Sequence, residues 1–338
     1  MSPPPPVSAA LSPTGVDDTS LLSPVLVEAD DARLRRQAFG AVVLAAVIIG
    51  FSPILVRLSD VGPAAIGFWR MFFSLGPTAL WALAERREAR LNARIRAQTA
   101  PRLNWRQVLL VAAAGVAFGA DLILFHAGLA LTSTANGVLI GNLYVIFVFG
   151  LGWLCLGERP TRGLVVALGF AMVGAALIVA SSLGGGGRPG SVVGDLLCVA
   201  AALAYAFYML FVRILRRASP GRPALGGGMT ALLSSAVGMV LCLAWALATG
   251  ERIMPASMGG LLAVAALGAI VHAGGQGLTT FALGRLPAGL ISMVMLLQIL
   301  VGTALAALLF REFPPALVLI GGGLLIAGVV AARPRGTR

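Results

Sequence analysis

Two charged residues, Arg70 and Asp121, lie inside long apolar segments of this 338-residue chain. Each is about eight residues from the same predicted membrane face, and at 1.5 Å of helix rise per residue both lie ~12 Å deep. An ion pair between them is therefore geometrically possible. Because ionisable groups in lipid usually mark a pathway, we predict that the pair gates that pathway, or exchanges a proton or a zwitterionic substrate. The alternative is a purely structural pair, or an Arg70 side chain that reaches a backbone carbonyl.

The chain contains two histidines, His126 and His272, and both lie in apolar segments. A histidine titrates near pH 7 and can therefore serve proton coupling, although a lone histidine in a helix is more often a hydrogen-bonded packing residue. Gln276 follows His272 by four residues and shares its helical face. We predict that His272 and Gln276 contact a substrate and that His126 belongs with the gating or coupling residues.

A third group of polar residues, Asn142, Tyr144 and Gln298, lies near the middle of two apolar segments. Tyr205 and Tyr208 add an aromatic face that could line a cavity. We predict substrate contacts at all five positions. The alternatives are hydrogen bonds between helices, worth only ~1 kcal/mol in a membrane, and aromatic packing.

Residue patterns typical of enzymes and metal sites are not found in the sequence. The three cysteines form no CxxC pair, and with two histidines a zinc site is not expected. Glu158 and Glu312 stand beside prolines at helix ends, where a carboxylate favours the helix dipole and caps the helix. We therefore predict neither catalysis nor a metal or other cofactor.

The composition requires lipid as the solvent. Hydrophobic residues make up 58% of the chain and charged residues 11%, against roughly 25% charged residues in soluble domains. The net charge is +12, and all 25 basic residues are arginines. These arginines fall mainly in loops between apolar segments. Their position indicates that they set the orientation of the chain in the membrane rather than bind nucleic acid.

The apolar segments predict an all-α integral membrane protein with about ten transmembrane helices. The predicted spans cover residues 38–57, 63–84, 107–129, 133–155, 163–182, 192–212, 228–249, 258–281, 287–309 and 315–332. With a cytoplasmic N-terminus, the outside segments hold only Arg57, Arg188, Arg252 and Arg311, which agrees with the positive-inside rule. We predict a plasma-membrane (bacterial inner-membrane) location with both termini cytoplasmic. Residues 1–36, rich in proline and polar residues, are predicted to form a disordered tail, and residues 333–338 a second tail.

The sequence matches itself in one register. The segment from Leu156 to Pro160 aligns with Phe310 to Pro314, and the same offset pairs Gly169 with Gly323, Gly174 with Gly328 and Tyr144 with Gln298. The two units are residues 37–183 and 191–332. Five spans in each unit make the repeats inverted, and carriers of this kind bind substrate near mid-membrane between the halves.

Two units that each carry a Gly-Glu-Arg-Pro-like turn before a glycine-bearing last helix resemble the EamA branch of the drug/metabolite transporter superfamily. Phe68-Trp69-Arg70 is similar to that family's pattern, and the resemblance covers roughly residues 38–332. It departs at Phe310-Arg311, where Leu-Gly is usual. The resemblance implies an export carrier for amino acids, related metabolites or drugs in the lipid bilayer. It leaves open whether protons take part and whether two copies form a homodimer. The alternatives are a membrane-embedded enzyme acting on lipid-linked substrates, and a non-transporting scaffold or sensor.

Overall fold

A computed structural model of the chain describes residues 19–95, 103–132, 134–180, 192–219, 223–310 and 316–332. Its elements are all helices, as the composition predicts. In the first half they are α1 Thr19–Ile49, α2 Ser52–Leu58, α3 Pro63–Ile95, α4 Trp105–Leu131, α5 Thr134–Gly141, α6 Tyr144–Leu156 and α7 Arg162–Ala180. In the second half they are α8 Val192–Arg216, α9 Gly227–Ala248, α10 Met258–Ala266, a π-helix Leu267–Gln276, α11 Gly277–Leu283, α12 Ala288–Met295, α13 Leu297–Phe310 and α14 Ala316–Ala332.

Six helical segments of the described residues are long and apolar enough to cross a membrane. They are Ala32–Leu58, Trp105–Leu131, Val192–Arg216, Gly227–Ala248, Met258–Leu283 and Ala288–Leu305. Three shorter apolar helices, Tyr144–Leu156, Arg162–Leu177 and Leu319–Ala332, overlap further predicted spans. The helix of the second predicted span, α3, is not among them, and Arg70 and Pro77 interrupt its apolar run. The structure therefore supports a multi-span membrane protein, and the number of ten spans stays a prediction.

The N-terminal helix begins at Thr19. It therefore includes residues 19–36, which the sequence analysis assigned to a disordered tail. Residues 1–18 and the C-terminal tail lie outside the described residues, as does Glu312.

Several predicted spans are broken helices. The fourth span is divided at Asn142 and Leu143, between α5 and α6, and the ninth is divided at Leu296, between α12 and α13. Asn142 and Leu296 are equivalent in the register that pairs Tyr144 with Gln298. The side-chain nitrogen of Asn142 donates to the Val138 carbonyl oxygen at 2.7 Å, and the Asn142 backbone amide donates to the same oxygen at 3.1 Å. The two repeats thus share a discontinuity at the same position.

Helices α7 and α14 are repeat equivalents, and each contacts the other through equivalent residues. A Cβ at Gly174 would meet the Gly321 carbonyl oxygen, and a Cβ at Gly328 would meet the Ala167 carbonyl oxygen. Gly174 is the repeat equivalent of Gly328, and Ala167 is that of Gly321. The glycines allow the two helices to approach closely. Because the two contacts are reciprocal, a pseudo-two-fold axis relates the helices.

Helices α3 and α9 are joined by reciprocal caps. The carboxylate of Glu251, just after α9, accepts from the amides of Ala64 and Ala65 at 2.8 and 3.1 Å, at the start of α3. The carboxylate of Glu85 in α3 accepts from the amides of Gly227 and Gly228 at 2.9 and 3.0 Å, at the start of α9. The two helices are therefore antiparallel, and each supplies the carboxylate that satisfies the other's free N–H groups.

We expect the α7–α14 contact to tolerate no side chain at its glycines. Gly174→Val and Gly328→Val should each destabilise the protein by ~1–3 kcal/mol, the usual cost of overpacking. Gly169→Val and Gly323→Val are the matched controls, because both glycines are exposed with no atom within 4 Å of an added Cβ. The measurement is the thermal midpoint of the detergent-solubilised protein by size exclusion. Equal midpoints for the two pairs would contradict this packing.

Candidate functional site

An aromatic cluster at the centre of the helices contains most of the predicted site residues. Phe118 of α4 is its middle, with ring centroids at 4.7 Å from Tyr208, 5.3 Å from His272 and 6.1 Å from Tyr205. The Arg70 guanidinium carbon lies 5.9 Å from the centroid of the same ring. Residues of α3, α4, α8 and the π-helix therefore meet at one point, and π-helical turns inside helices are frequent at functional sites.

The cluster continues to the two broken spans. The rings of Tyr144 and Tyr205 are T-shaped, with centroids 4.9 Å apart. The Tyr144 hydroxyl donates to the Ser292 carbonyl oxygen at 3.2 Å, and the Gln276 amide nitrogen donates to the Tyr205 hydroxyl at 3.3 Å. Tyr144 begins α6 and Ser292 lies in α12, so the cluster joins both repeats at the depth of the helix breaks.

Arg70 and Asp121 do not form the direct ion pair that the sequence made possible. No nitrogen–oxygen distance of 4.0 Å or less joins them, although they interact electrostatically. Among the described residues neither side chain has a hydrogen-bond partner, and Arg70 Nε is buried. Both side chains keep part of their surface accessible. The two ionisable side chains therefore lie within electrostatic range of each other without a direct bond.

The two histidines have different surroundings. His272 Nε2 lies 2.9 Å from the Ser235 hydroxyl of α9, while its Nδ1 is buried and has no partner in the described part of the chain. His126 Nδ1 is also buried without a partner there, and its ring lies 6.1 Å from Phe125. His272 therefore has one ring nitrogen that is engaged by Ser235 and one that is buried without a described side-chain partner.

Two predicted substrate contacts have no described contact with the cluster. Asn142 uses its amide within its own helix break. The backbone carbonyl oxygen of Gln298 lies beside Gly50, which directly follows α1. The sequence analysis missed Phe118, Ser235 and Ser292. Phe118 is one of 15 phenylalanines, and nothing in its local sequence distinguishes it from packing residues.

A cavity of 340 Å³ lies between the repeats at the ends of α6, α8 and α12. One wall is an ion pair in which Arg213 Nε and Nη2 each lie 2.7 Å from Glu158 Oε1. Arg213 Nη1 donates to the Leu283 carbonyl oxygen at 2.6 Å, and Glu158 Oε2 accepts from the Ala288 amide at 3.1 Å. Glu158 is thus a capping residue, as predicted, but it caps α12 of the other repeat.

This all-helical, two-repeat chain, with apolar helices around a partly charged aromatic cluster, has the features of a membrane transporter. Residues 37–180 and 192–332 match the EamA-like transporter family. The chain therefore belongs to that family, within the drug/metabolite transporter superfamily.

Comparison with solved structures agrees with this fold. The chain is similar to a crystal structure at a TM-score of 0.70 and 16% sequence identity, with 88% of this chain and 98% of the other covered. At that identity the likeness shows the fold alone. No match was found among proteins with curated descriptions.

We expect Glu158→Gln to destabilise the protein although the cap could be kept. Glutamine can still accept from the Ala288 amide, but Arg213 would be left as a buried charge without its counterion, which typically costs ~3–5 kcal/mol. Glu88→Gln is the control, because Glu88 is exposed on α3. The measurement is the thermal midpoint in detergent. A midpoint equal to that of the control would show that the ion pair contributes nothing.

Proposed function

We propose that this chain is a secondary carrier that exports small metabolites, such as amino acids or drug-like compounds, by alternating access. In this proposal the ten predicted spans form two inverted five-helix repeats, with both termini cytoplasmic. The observation that carries the proposal is the central cluster, where aromatic rings from both repeats meet and Arg70 lies beside one of them without a direct bond to Asp121.

The position of the cluster supports a substrate site. In inverted-repeat carriers, substrate binds near mid-membrane between the halves, beside discontinuous helices. Here Tyr144 directly follows the break in the fourth span, and its ring contacts Tyr205 of the other repeat. A bound molecule at this point would touch both repeats, and its affinity would therefore change when the repeats move relative to each other.

The chemistry of the cluster favours a small amphipathic solute. The Arg70 guanidinium is suited to a carboxylate, because planar N–H groups bind carboxylates with two parallel bonds. The Asp121 carboxylate is suited to an ammonium group, and the rings of Phe118, Tyr144 and Tyr205 offer faces for the rest of the molecule and for a cation. An apolar drug could bind the rings alone.

Three residues of the cluster, Arg70, Asp121 and Tyr205, are half-buried, whereas Phe118, Tyr144, Tyr208 and His272 are buried. This partial exposure supports access of a solute to the two ionisable side chains. The Tyr144–Ser292 contact would close the cytoplasmic side of the site.

We expect one class of compound to accumulate in the medium of cells that overexpress the native protein. Arg70→Ala, Asp121→Asn and the double variant Tyr144→Phe/Gln298→Leu should lose this accumulation, because each removes a proposed contact. The measurement is untargeted metabolite profiling at matched membrane levels. Arg90→Gln is the control, since Arg90 is exposed at the far end of α3. No compound that differs between native protein and empty vector would contradict export.

If the carrier exchanges protons, we expect Asp121 to carry them. Efflux of the identified compound from proteoliposomes should then rise when the medium that represents the outside is acidified relative to the lumen. Asp121→Asn cannot titrate, so its residual efflux should not change with that gradient. An unchanged pH dependence in Asp121→Asn would remove Asp121 from this role.

A further inference from the structure

Two equivalent residues of the repeats meet inside the aromatic cluster. The offset that pairs Tyr144 with Gln298 also pairs Phe118 with His272, and the ring centroids of Phe118 and His272 lie 5.3 Å apart. Helices α7 and α14 are equivalents as well, and they pack against each other. Equivalents that touch lie beside the pseudo-two-fold axis, so this axis passes through the cluster. Exchange of the two repeats about the axis maps each contact of the structure onto a second pair of positions.

The halves of the two broken spans are packed together on the predicted cytoplasmic side. There the Tyr144 hydroxyl of α6 donates to the Ser292 carbonyl oxygen of α12 at 3.2 Å. A Cβ at Gly289 of α12 would lie 3.1 Å from the Phe149 ring of α6. These contacts close the cytoplasmic halves of the fourth and ninth spans.

The outer halves of the same spans are apart. The repeat equivalents of α6 and α12 are α13 and α5. Within the described residues α13 packs mainly on α1, α2 and α7, and α5 packs on α4, α7 and α8, with no comparable packing between α5 and α13. The contacts between α6 and α12 therefore have no counterpart on the outer side in this state.

The outer equivalent of the Ser292 carbonyl is the Val138 carbonyl, and this oxygen already has two donors. Asn142 donates to it from its backbone amide at 3.1 Å and from its side-chain amide at 2.7 Å. A carbonyl oxygen has two lone pairs, so both are occupied. The equivalent of Asn142 is Leu296, whose side chain has no donor, and Ser292 accepts from Tyr144 across the interface instead. The outer acceptor thus has a competing donor that the cytoplasmic acceptor lacks.

We propose that Gln298, the equivalent of Tyr144, is the donor of an outer gate. In the state that opens to the cytoplasm, its side-chain amide displaces that of Asn142 from the Val138 carbonyl oxygen, and α13 closes on α5. This inference rests on the alternating access proposed above and gives Gln298 a role besides substrate contact. Asn142 is the competitor that favours the open outer side.

The sizes of the equivalent side chains agree with this gate. Glutamine is shorter than tyrosine, so α13 and α5 must approach each other more closely than α6 and α12 do. The equivalents of Phe149 and Gly289 are Thr303 and Ala135. Threonine is much smaller than phenylalanine, which permits the closer approach.

Two cysteine pairs report on the two sides. Phe149→Cys with Gly289→Cys spans α6 and α12, and Ala135→Cys with Thr303→Cys spans α5 and α13. Both are made in a Cys155→Ser background, because the other two native cysteines are buried. Protein in liposomes is treated with a short bifunctional methanethiosulfonate, and the rate of crosslinking is measured by mass spectrometry. We expect both pairs to crosslink, and the outer pair more slowly.

Two variants should change the outer rate in opposite directions. Gln298→Met keeps the length of the side chain but removes the donor, and should lower the outer rate about fivefold, the effect of one hydrogen bond between membrane helices. Asn142→Leu introduces the residue found at position 296, removes the competitor and should raise the rate by a similar factor. Gln37→Met is the matched control, because Gln37 is exposed at the start of the first span.

The opposite signs separate gating from misfolding, which would not accelerate a specific crosslink. The cytoplasmic pair should still crosslink in Gln298→Met, which checks that this variant is folded. An outer pair that never crosslinks, an outer rate unchanged in Gln298→Met, or a rate lowered in Asn142→Leu would each overturn the gate.

The crosslinking readout needs no substrate, so the gate and the export function can fail separately. Export of a compound without any outer crosslink would remove this gate and leave the carrier. The expected crosslinking pattern without an exported compound would leave the gate and remove export.

Discussion

The interface between the two repeats depends on carboxylates that cap helices across it. Lipid cannot satisfy the free N–H groups at a helix start, and the positive end of the helix dipole favours a carboxylate there. Glu85, Glu158 and Glu251 meet this requirement at the starts of α9, α12 and α3. In every case the glutamate and the helix that it caps belong to different repeats. The capping hydrogen bonds at the helix ends therefore hold the repeats together. The aromatic cluster at the centre of the interface can then contain polar groups without hydrogen-bond partners.

These caps constrain how the helices could move in alternating access. Glu85 and Glu251 bind α3 and α9 to each other at both ends, so that pair is suited to move as one body. The Glu158–Arg213 pair is different, because it joins the turn after α6 to α8 and α12 at one end only. Breaking the Tyr144–Ser292 contact to open the cytoplasmic side of the site would require α6 and α12 to separate. The proposed mechanism therefore needs the contacts of Glu158 to break while those of Glu85 and Glu251 persist.

Features that depend on composition and membrane depth could be predicted from the sequence. Features that depend on which helices pack against each other could not. The apolar segments predicted an all-helical membrane protein, and the register of Glu158 and Glu312 led to the family. The depth of Tyr144 placed it near the middle of the membrane, and its ring meets that of Tyr205, which belonged to the predicted aromatic face. In contrast, the break at Asn142 contains no proline, and the target of Glu158 is α12 rather than the nearby α7. Both are set by tertiary contacts, which a single sequence does not encode in any local pattern.

The contrast between two charge pairs argues for the role of the central cluster. Arg213 and Glu158 show how this protein satisfies a structural pair, with atoms 2.7 Å apart and further bonds to Leu283 and Ala288. Arg70 and Asp121 also lie among the helices, although they are half-buried, yet no direct bond joins them and Arg70 Nε has no partner in the described chain. Because charges in a membrane protein are costly unless compensated, the second arrangement leaves bonds that water or a ligand could supply. A pair whose purpose was to hold α3 against α4 would be expected to resemble the first, so its separation favours a role in binding.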